Sequence, residues 1–356
     1  MNRNPPSISH GEQYMLFRNN IPLTKGRLAT VLVVLLCLLL LSMLLGIAFG
    51  ASHIPITHIL LLSDTSIVER AILQDIRLPR VLIAGLLGGA LAVAGVVFQA
   101  LLRNPLADPY VLGVSGGASI GGVLAILFGL ATGIFGSLAI PACAFAGALA
   151  ALFLVERIAT LEGRLTVYTV LLTGVIMNAF AAAFIYFIQS IASLEQLHDI
   201  VFYLMGRVPA LQGMELAVLA VVIIITTVML VNMARDYNAL SFGEEGAIYL
   251  GVDVERMKRR TFILGSLLTA LCVAFAGLIG FVGLVVPHCL RLLLGPDHRL
   301  LLPAAFLGGG CFLVIADLLA RMIIAPGELP VGVVTALVGG PFFIYLLRTR
   351  SRMYGL

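Results

Sequence analysis

The chain lacks most of what a water-soluble protein needs. It has no Trp, and charged residues make up only 11% of its 356 positions. A soluble domain carries roughly 25%. Its five cysteines, Cys37, Cys143, Cys272, Cys289 and Cys311, lie scattered in apolar stretches and form no C-x-x-C pair. That argues against a disulfide framework or a thiolate metal site, and reads instead as small buried residues. No G-x-x-x-x-G-K-[ST] run is present, so the chain has no usual cradle for nucleotide phosphates. It has no Met-Gly start for myristoylation and no C-terminal Cys for prenylation. What it has in abundance is apolar surface. Hydrophobic residues are 60% of the chain and the mean hydropathy is +1.09. With 37 Gly and 15 Pro, this is the composition of a polytopic membrane protein.

The expected class is all-α, with ten membrane helices. The first uncharged run, Leu28 to Gly50, is too long for the roughly 7–15-residue core of a signal peptide and suits a retained span. Val81–Leu102 is the second. Pro109–Val155 holds two, broken at Gly129–Gly136. Leu165–Leu194 and Leu216–Ala234 follow. Thr261 to Leu294 reads as one full and one short helix, turning near Gly280. Leu300–Ile324 carries Asp317 and Arg321 inside a span, and Leu329–Leu347 is the last. Residues 1–27 and 348–356 are expected as cytoplasmic tails around a permease domain at 28–347. An even count puts both termini on one side. With both in the cytoplasm, only Arg70, Arg77, Arg80, Arg207 and Arg321 face outward, and the other 17 of the 22 Lys and Arg face inward. That bias sets the orientation. The net charge of +4 is therefore a topological signal, not one for nucleic acid.

The longest polar inner stretch, "ARDYNALSFGEEGAIYLGVDVERMKRR", is longer than a connection needs. Ser241-Phe-Gly-Glu244 fits a capping box. A short helix to Leu250 would end at Gly251 in a left-handed conformation, and Asp253 would cap the next helix. Ala247, Ile248 and Leu250 beside Glu244 and Glu245 make a small knob. An interfacial helix lying on lipid is the alternative, but such helices favour Lys and Arg on the polar face. The two glutamates favour a protein partner.

Four stretches carry a family likeness: "RLPRVLIAGLLGGALAVAGVVFQALLRNPLADPYVLGVSGGA", "LSFGEEGAIYLGV", "GFVGLVVPHCLRLLLGPDHRLLLP" and "ADLLARMIIAPGELPVGVVTALVGGPFFIYLL". In this order and spacing the chain resembles the membrane permease of bacterial ABC importers for vitamin B12, haem and iron–siderophore complexes, the FecCD-type, type II importers. The resemblance implies ten helices per subunit, a homodimer or close heterodimer, two copies of a separate ATPase, a periplasmic or lipid-anchored binding protein, and residence in the inner membrane. It implies that Ser241, Gly243, Glu244, Glu245, Ala247, Leu250 and Gly251, in a coupling loop at 235–257, meet the ATPase. It assigns Arg77 and Arg321 to docking of the binding protein. The readings beside these are a headgroup contact for Arg77 and a pair with Asp317 for Arg321. It places Thr166, Val167 and Tyr168 at an inner gate, although Val167 and Tyr168 stand where the B12 importer commonly has smaller hydroxyl residues. Asn178, Tyr186 and Gln189 fall within about 80° on one helix face, and the resemblance puts them on the translocation path. Hydrogen bonding between helices is the other reading. No cofactor, metal or catalytic residue is implied, and ferric siderophore, haem and cobalamin are all compatible cargoes.

Two other classes are weighed. An ion-coupled secondary transporter needs intramembrane acids at mid-depth, and Asp317 is the one clear candidate. An intramembrane serine protease is suggested by Gly113-Val-Ser115-Gly-Gly117, with His288 as base. Gly113, Gly117 and Gly121 recur every four residues, however, and small-xxx-small stripes pack membrane helices closely. Ser115 is expected to bond its own helix backbone.

Overall fold

The computed structural model describes residues 24–50, 67–130, 136–161 and 164–354. The tail up to residue 23, part of the break at 129–136, and the last two residues lie outside them. Among the described residues, seven helices are long and apolar enough to cross a membrane, and three more are apolar but shorter. The chain is a polytopic helical protein. One departure from all-α is a pair of two-residue strands, β1 (Thr160–Leu161) and β2 (Arg164–Leu165), joined antiparallel.

Helix α1 (Lys25–Ala48) starts where the Thr24 hydroxyl accepts from the Arg27 amide. It is apolar all round and touches the protein along a narrow stripe of Leu39, Ser42 and Gly46. Helix α2 (Leu78–Leu101), preceded by a π-helical turn at Ile72–Arg77, is the opposite case and is buried on every side. A short 3-10 turn at Pro109–Leu112 leads into α3 (Val114–Leu127). Then come α4 (Ala139–Ala159) and α5 (Val167–Ile191).

Ser193 ends that span sooner than expected and opens a separate amphipathic helix, α6 (Leu194–Met205). Its hydroxyl accepts from the Gln196 amide, and the Gln196 side chain accepts from the Ser193 amide. The next helices are α7 (Gly213–Asn232), α8 (Ala234–Leu240), α9 (Glu244–Tyr249) and α10 (Val254–Ala276). The break foreseen near Gly280 separates α10 from α11 (Val282–Leu294). Two helices complete the chain, α12 (His298–Met322) and α13 (Val331–Tyr354), the latter running well past Leu347.

The core forms where small residues let backbones touch. Gly88 on α2 and Gly309 on α12 face each other, and a Cβ on either would strike the other's carbonyl oxygen. A Cβ on Gly95 would strike the carbonyl of Gly283 on α11, and one on Gly283 would meet Pro109 and the Leu91 carbonyl. Helices α1, α10, α11 and α12 therefore gather around α2, which contributes the fully buried Ile83, Leu87 and Phe98.

The glycines of "GVSGGASIGG" divide the same labour. Gly117 and Gly121 lie against Gly147 and Cys143 of α4, so the expected packing stripe is present there. Gly113 is not part of it. It precedes α3 at φ 84°, a left-handed conformation that links the 3-10 turn to the helix.

A leucine at 117 would collide with the α4 backbone. Gly117→Leu is expected to cost at least the roughly 1–3 kcal/mol of ordinary overpacking. It should show as a lowered melting temperature and loss of monodisperse protein in detergent. Ser115→Ala removes one hydrogen bond, worth about 1 kcal/mol, and should remain monodisperse.

Candidate functional site

Three places along the helix bundle gather the residues singled out by sequence. At one end of the helix bundle, α8 and α9 form a structured projection. Its base is Tyr237, buried, whose hydroxyl lies 3.0 Å from the Thr261 hydroxyl. Asn238 ties it to the start of α12, donating to Asp297 at 2.8 Å and accepting from the His298 amide at 2.9 Å. Arg299, hydrogen-bonded to Asp297, holds that carboxyl down to about 2, with Asn238 adding to the effect. This contribution is complete above the usual value of 3.8 and is lost as pH falls through about 2.

The capping box does not form at Ser241. Helix α8 runs up to it, and the Ser241 hydroxyl donates back to the Asn238 carbonyl at 2.6 Å. Gly243, at φ 95°, starts α9 instead. Gly251 is left-handed at φ 84°, and Asp253 caps α10 by accepting from the Arg256 amide, both as the sequence suggested.

The knob differs in composition. Ala247 is fully buried against Ala239 and Val254, so it anchors α9 and is not displayed. Glu244 also turns inward, 3.2 Å from Lys258 and 3.6 Å from Arg103. What α9 and its flanking turns display is Phe242, Ile248, Tyr249 and Leu250, with Tyr249 91% exposed, and Glu245 beside them. Sequence reasoning missed Phe242 and Tyr249. The signal was available: Glu245 and Tyr249 are four apart and share a face, opposite Ala247.

Beside this projection lies a cleft of about 890 Å³. Thr166, Val167 and Tyr168 line it from the start of α5, and Glu244, Ile248 and Lys258 from the α9–α10 side. The structure thus joins two groups of residues that the sequence named separately. Tyr168 is 74% exposed.

Nearer the middle, Tyr110 is a hub. Its hydroxyl donates to the Ile279 carbonyl and accepts from the Ile279 amide, both at 3.0 Å, which pins the break between α10 and α11. Its carbonyl accepts from Asn178 at 2.8 Å and from Ser115 at 3.1 Å. Ser115 therefore bonds the turn before its helix and is not arranged as a nucleophile. His288 sits on α11, which packs chiefly on α2 and α12 and away from α3. Asn178 makes the interhelical bond of the blander reading, yet it also lines a cavity of about 340 Å³ with Tyr110, Ser115 and Ser119. Tyr186 and Gln189, further along α5, do not line that cavity, and Tyr186 is 69% exposed.

At the opposite end of the bundle, Arg77 and Arg321 are each only 4% exposed. Arg77 donates to the carbonyls of Ile47 at 2.8 Å and Ala48 at 3.1 Å. Arg321 donates to Gly46 at 3.1 Å and to Phe49 at 3.5 Å. These are carbonyls at the end of α1, which have no partner inside the helix and carry the negative end of its dipole. Asp317, 1% exposed, lies 3.0 Å from both Arg321 and Arg80. Arg80 reaches on to Glu328 at 2.8 Å. Neither Arg77 nor Arg321 presents an open guanidinium fork to solvent. Arg80 and Glu328 were not singled out from sequence, although the i, i+3 spacing in "RLPR" places Arg80 one turn beyond Arg77.

Comparison with known proteins adds four findings. The profile of the FecCD transport family matches residues 38–349. The cobalamin import system permease protein BtuC of Halobacterium salinarum is 43% identical over 282 residues, 79% of this chain and 74% of that protein. The hemin transport system permease protein HmuU of Yersinia pestis is 41% identical over 284 residues, 79% of this chain and 84% of that protein. Among solved structures, one described as an inward-facing conformation of a metal-chelate type ABC transporter superposes with a TM-score of 0.77 at 30% identity. It covers 90% of this chain and 99% of the other.

The cluster of Arg80, Asp317, Arg321 and Glu328 is expected to be structural. Asp317→Leu leaves Arg321 buried without its carboxylate, and breaking a buried pair costs about 3–5 kcal/mol. The variant should melt well below the parent in detergent, whereas Glu328→Gln, at the exposed end of the cluster, should change the melting point little.

Proposed function

Because the chain belongs to the FecCD transport family, we propose that this ABC importer permease forms, with a second copy of itself, the membrane path for a metal chelate of the ferric siderophore, haem or cobalamin type. Like the permease subunits of its family, it is not itself an enzyme. In this reading ten helices cross the bacterial inner membrane with both termini in the cytoplasm. Two copies of an ATPase dock beneath, and a periplasmic or lipid-anchored binding protein delivers cargo from above.

The observation that carries the reading is the projection at α8–α9. A chain with no phosphate-binding loop nonetheless holds Phe242, Ile248, Tyr249 and Leu250 exposed on a short helix and its flanking turns, braced from behind by Ala247, Tyr237 and Asn238. Apolar and aromatic side chains held out on a rigid support suit a groove in a protein partner. Ser241, Gly243 and Gly251 shape the support, and Glu245 adds charge at the rim. The likeness to cobalamin and hemin permeases supports the cargo class. The cleft at Thr166–Tyr168 and the cavity at Asn178 mark the two ends of the inner half of the path, and Tyr186 and Gln189 continue it outward on α5.

At the outer face, Arg77 and Arg321 are buried against the end of α1, so in this reading they brace the surface on which the binding protein docks and do not themselves reach its carboxylates. Both hold the end of α1, so docking there would act directly on that junction. Neither rival class gains from the geometry. Asp317 is neutralised by two arginines at the outer end, and Ser115 bonds a backbone carbonyl.

The test is the paired substitution Ile248→Asp, Tyr249→Asp. The variant should fold and insert normally but lose copurification of the ATPase by at least tenfold. Proteoliposomes carrying it with the binding protein should no longer take up cyanocobalamin or haemin on addition of ATP. Uptake by the parent that persists without ATP and follows an imposed ion gradient would refute the reading.

A further inference from the structure

A continuous set of polar contacts runs from α9 to the first turn of α5. Glu244 opens α9, and its carboxylate lies 3.2 Å from the ammonium of Lys258. Lys258 is only 6% exposed and lies 2.6 Å from Glu255, one turn earlier on α10. The other oxygen of Glu255 accepts from the backbone amide of Leu165 at 2.9 Å. Leu165 closes the β1–β2 pair and directly precedes Thr166, the residue from which α5 starts. Three contacts therefore connect elements some 90 residues apart in sequence.

The chemistry makes the connection stiff at one point and adjustable at another. A lysine with almost no access to water cannot be left uncompensated, so Lys258 must follow its carboxylates. Glu255 holds it within α10. Glu244 belongs to α9 and is also shared with Arg103 at 3.6 Å, so a shift of α9 redistributes the charges around Lys258. The bond from Glu255 to Leu165 carries that change to the strand leading into α5. Helix α5 is able to respond, because most of its length is lightly packed and its inner end borders the open cleft.

We propose that Lys258 and Glu255 are positioning residues that transmit movement of α9 to the start of α5, and so set the width of the inner mouth at Thr166–Tyr168. This rests on the reading of α9 as the ATPase-docking helix.

The experiment uses the full permease–ATPase complex in lipid nanodiscs. The five native cysteines are replaced by Ala, and Tyr168→Cys supplies one reporter. Its rate of labelling by a water-soluble maleimide is measured without nucleotide and after trapping with ATP and vanadate. With Glu255 and Lys258 intact, trapping should change the rate at least fivefold. In Glu255→Leu, which removes the acceptor for the Leu165 amide, and in Lys258→Met, the change should fall below twofold while the ATPase still copurifies. Glu255→Gln keeps an oxygen for that amide and Lys258→Arg keeps the charge, so each should retain at least half of the response. If Glu255→Leu fails to fold, Lys258→Met carries the test. A full nucleotide response in Glu255→Leu or Lys258→Met overturns the proposal. A parent complex that binds no ATPase, or shows no response, overturns the docking reading and the proposal with it.

Discussion

Lipid offers no hydrogen bonds, so every place where a membrane helix stops short must be completed by the protein. This constraint accounts for most of the polar side chains in a chain with few of them. Tyr110 completes the break between α10 and α11 through both polar groups of Ile279. Its own carbonyl is then occupied by Asn178 and Ser115. Arg77 and Arg321 complete the end of α1. Glu255 completes the strand before α5. Residues that look functional by type are, in each case, first of all the partners of an interrupted backbone.

That is also why the sequence was legible in some places and not in others. Apolar runs set the spans, and the break near Gly280 followed from length alone. Gly251 and Asp253 were legible because a left-handed residue and an N-cap are local matters. The capping box was not: Ser241-Phe-Gly-Glu244 and Ser193-Leu-Glu-Gln196 carry the same signature, and only the second forms. The difference is that α8 already extends to Ser241, which the pattern of four residues does not contain. Arg77 and Arg321 were read as outward because charge predicts side of the membrane. Nothing in their neighbours in sequence reveals that the end of α1, some thirty and 275 residues away, lies within reach.

The packing divides the molecule into a fixed part and a lightly held part. The window of α2 within its span is 89% buried, whereas that of α5 is 28% buried. Backbone-to-backbone contacts such as Gly88 against Gly309 leave α2 and α12 no room to slide past one another without collision. Helix α5 is held differently. It touches α3 through Gly116 near Asn178, and the turn before α3 through Gly174, with broad apolar faces uncovered. A protein that must open and close a path while keeping its shape needs both kinds of helix, and transitions of this sort draw on the less stable elements.

The position of the inner cleft then follows. A gate on a fully buried helix would have to break glycine contacts to move. A gate at the exposed start of α5 needs only the few bonds that hold its first turn, chiefly Thr166 to Ala159 and Leu165 to Glu255. Tyr168 suits such a place. It lines the cleft and is 74% exposed, so in the proposed reading a tilt of α5 would carry its ring across the mouth. In the proposed reading, the bulk of Tyr168 and the light packing of its helix act together, because a small displacement of α5 would then suffice to narrow the mouth.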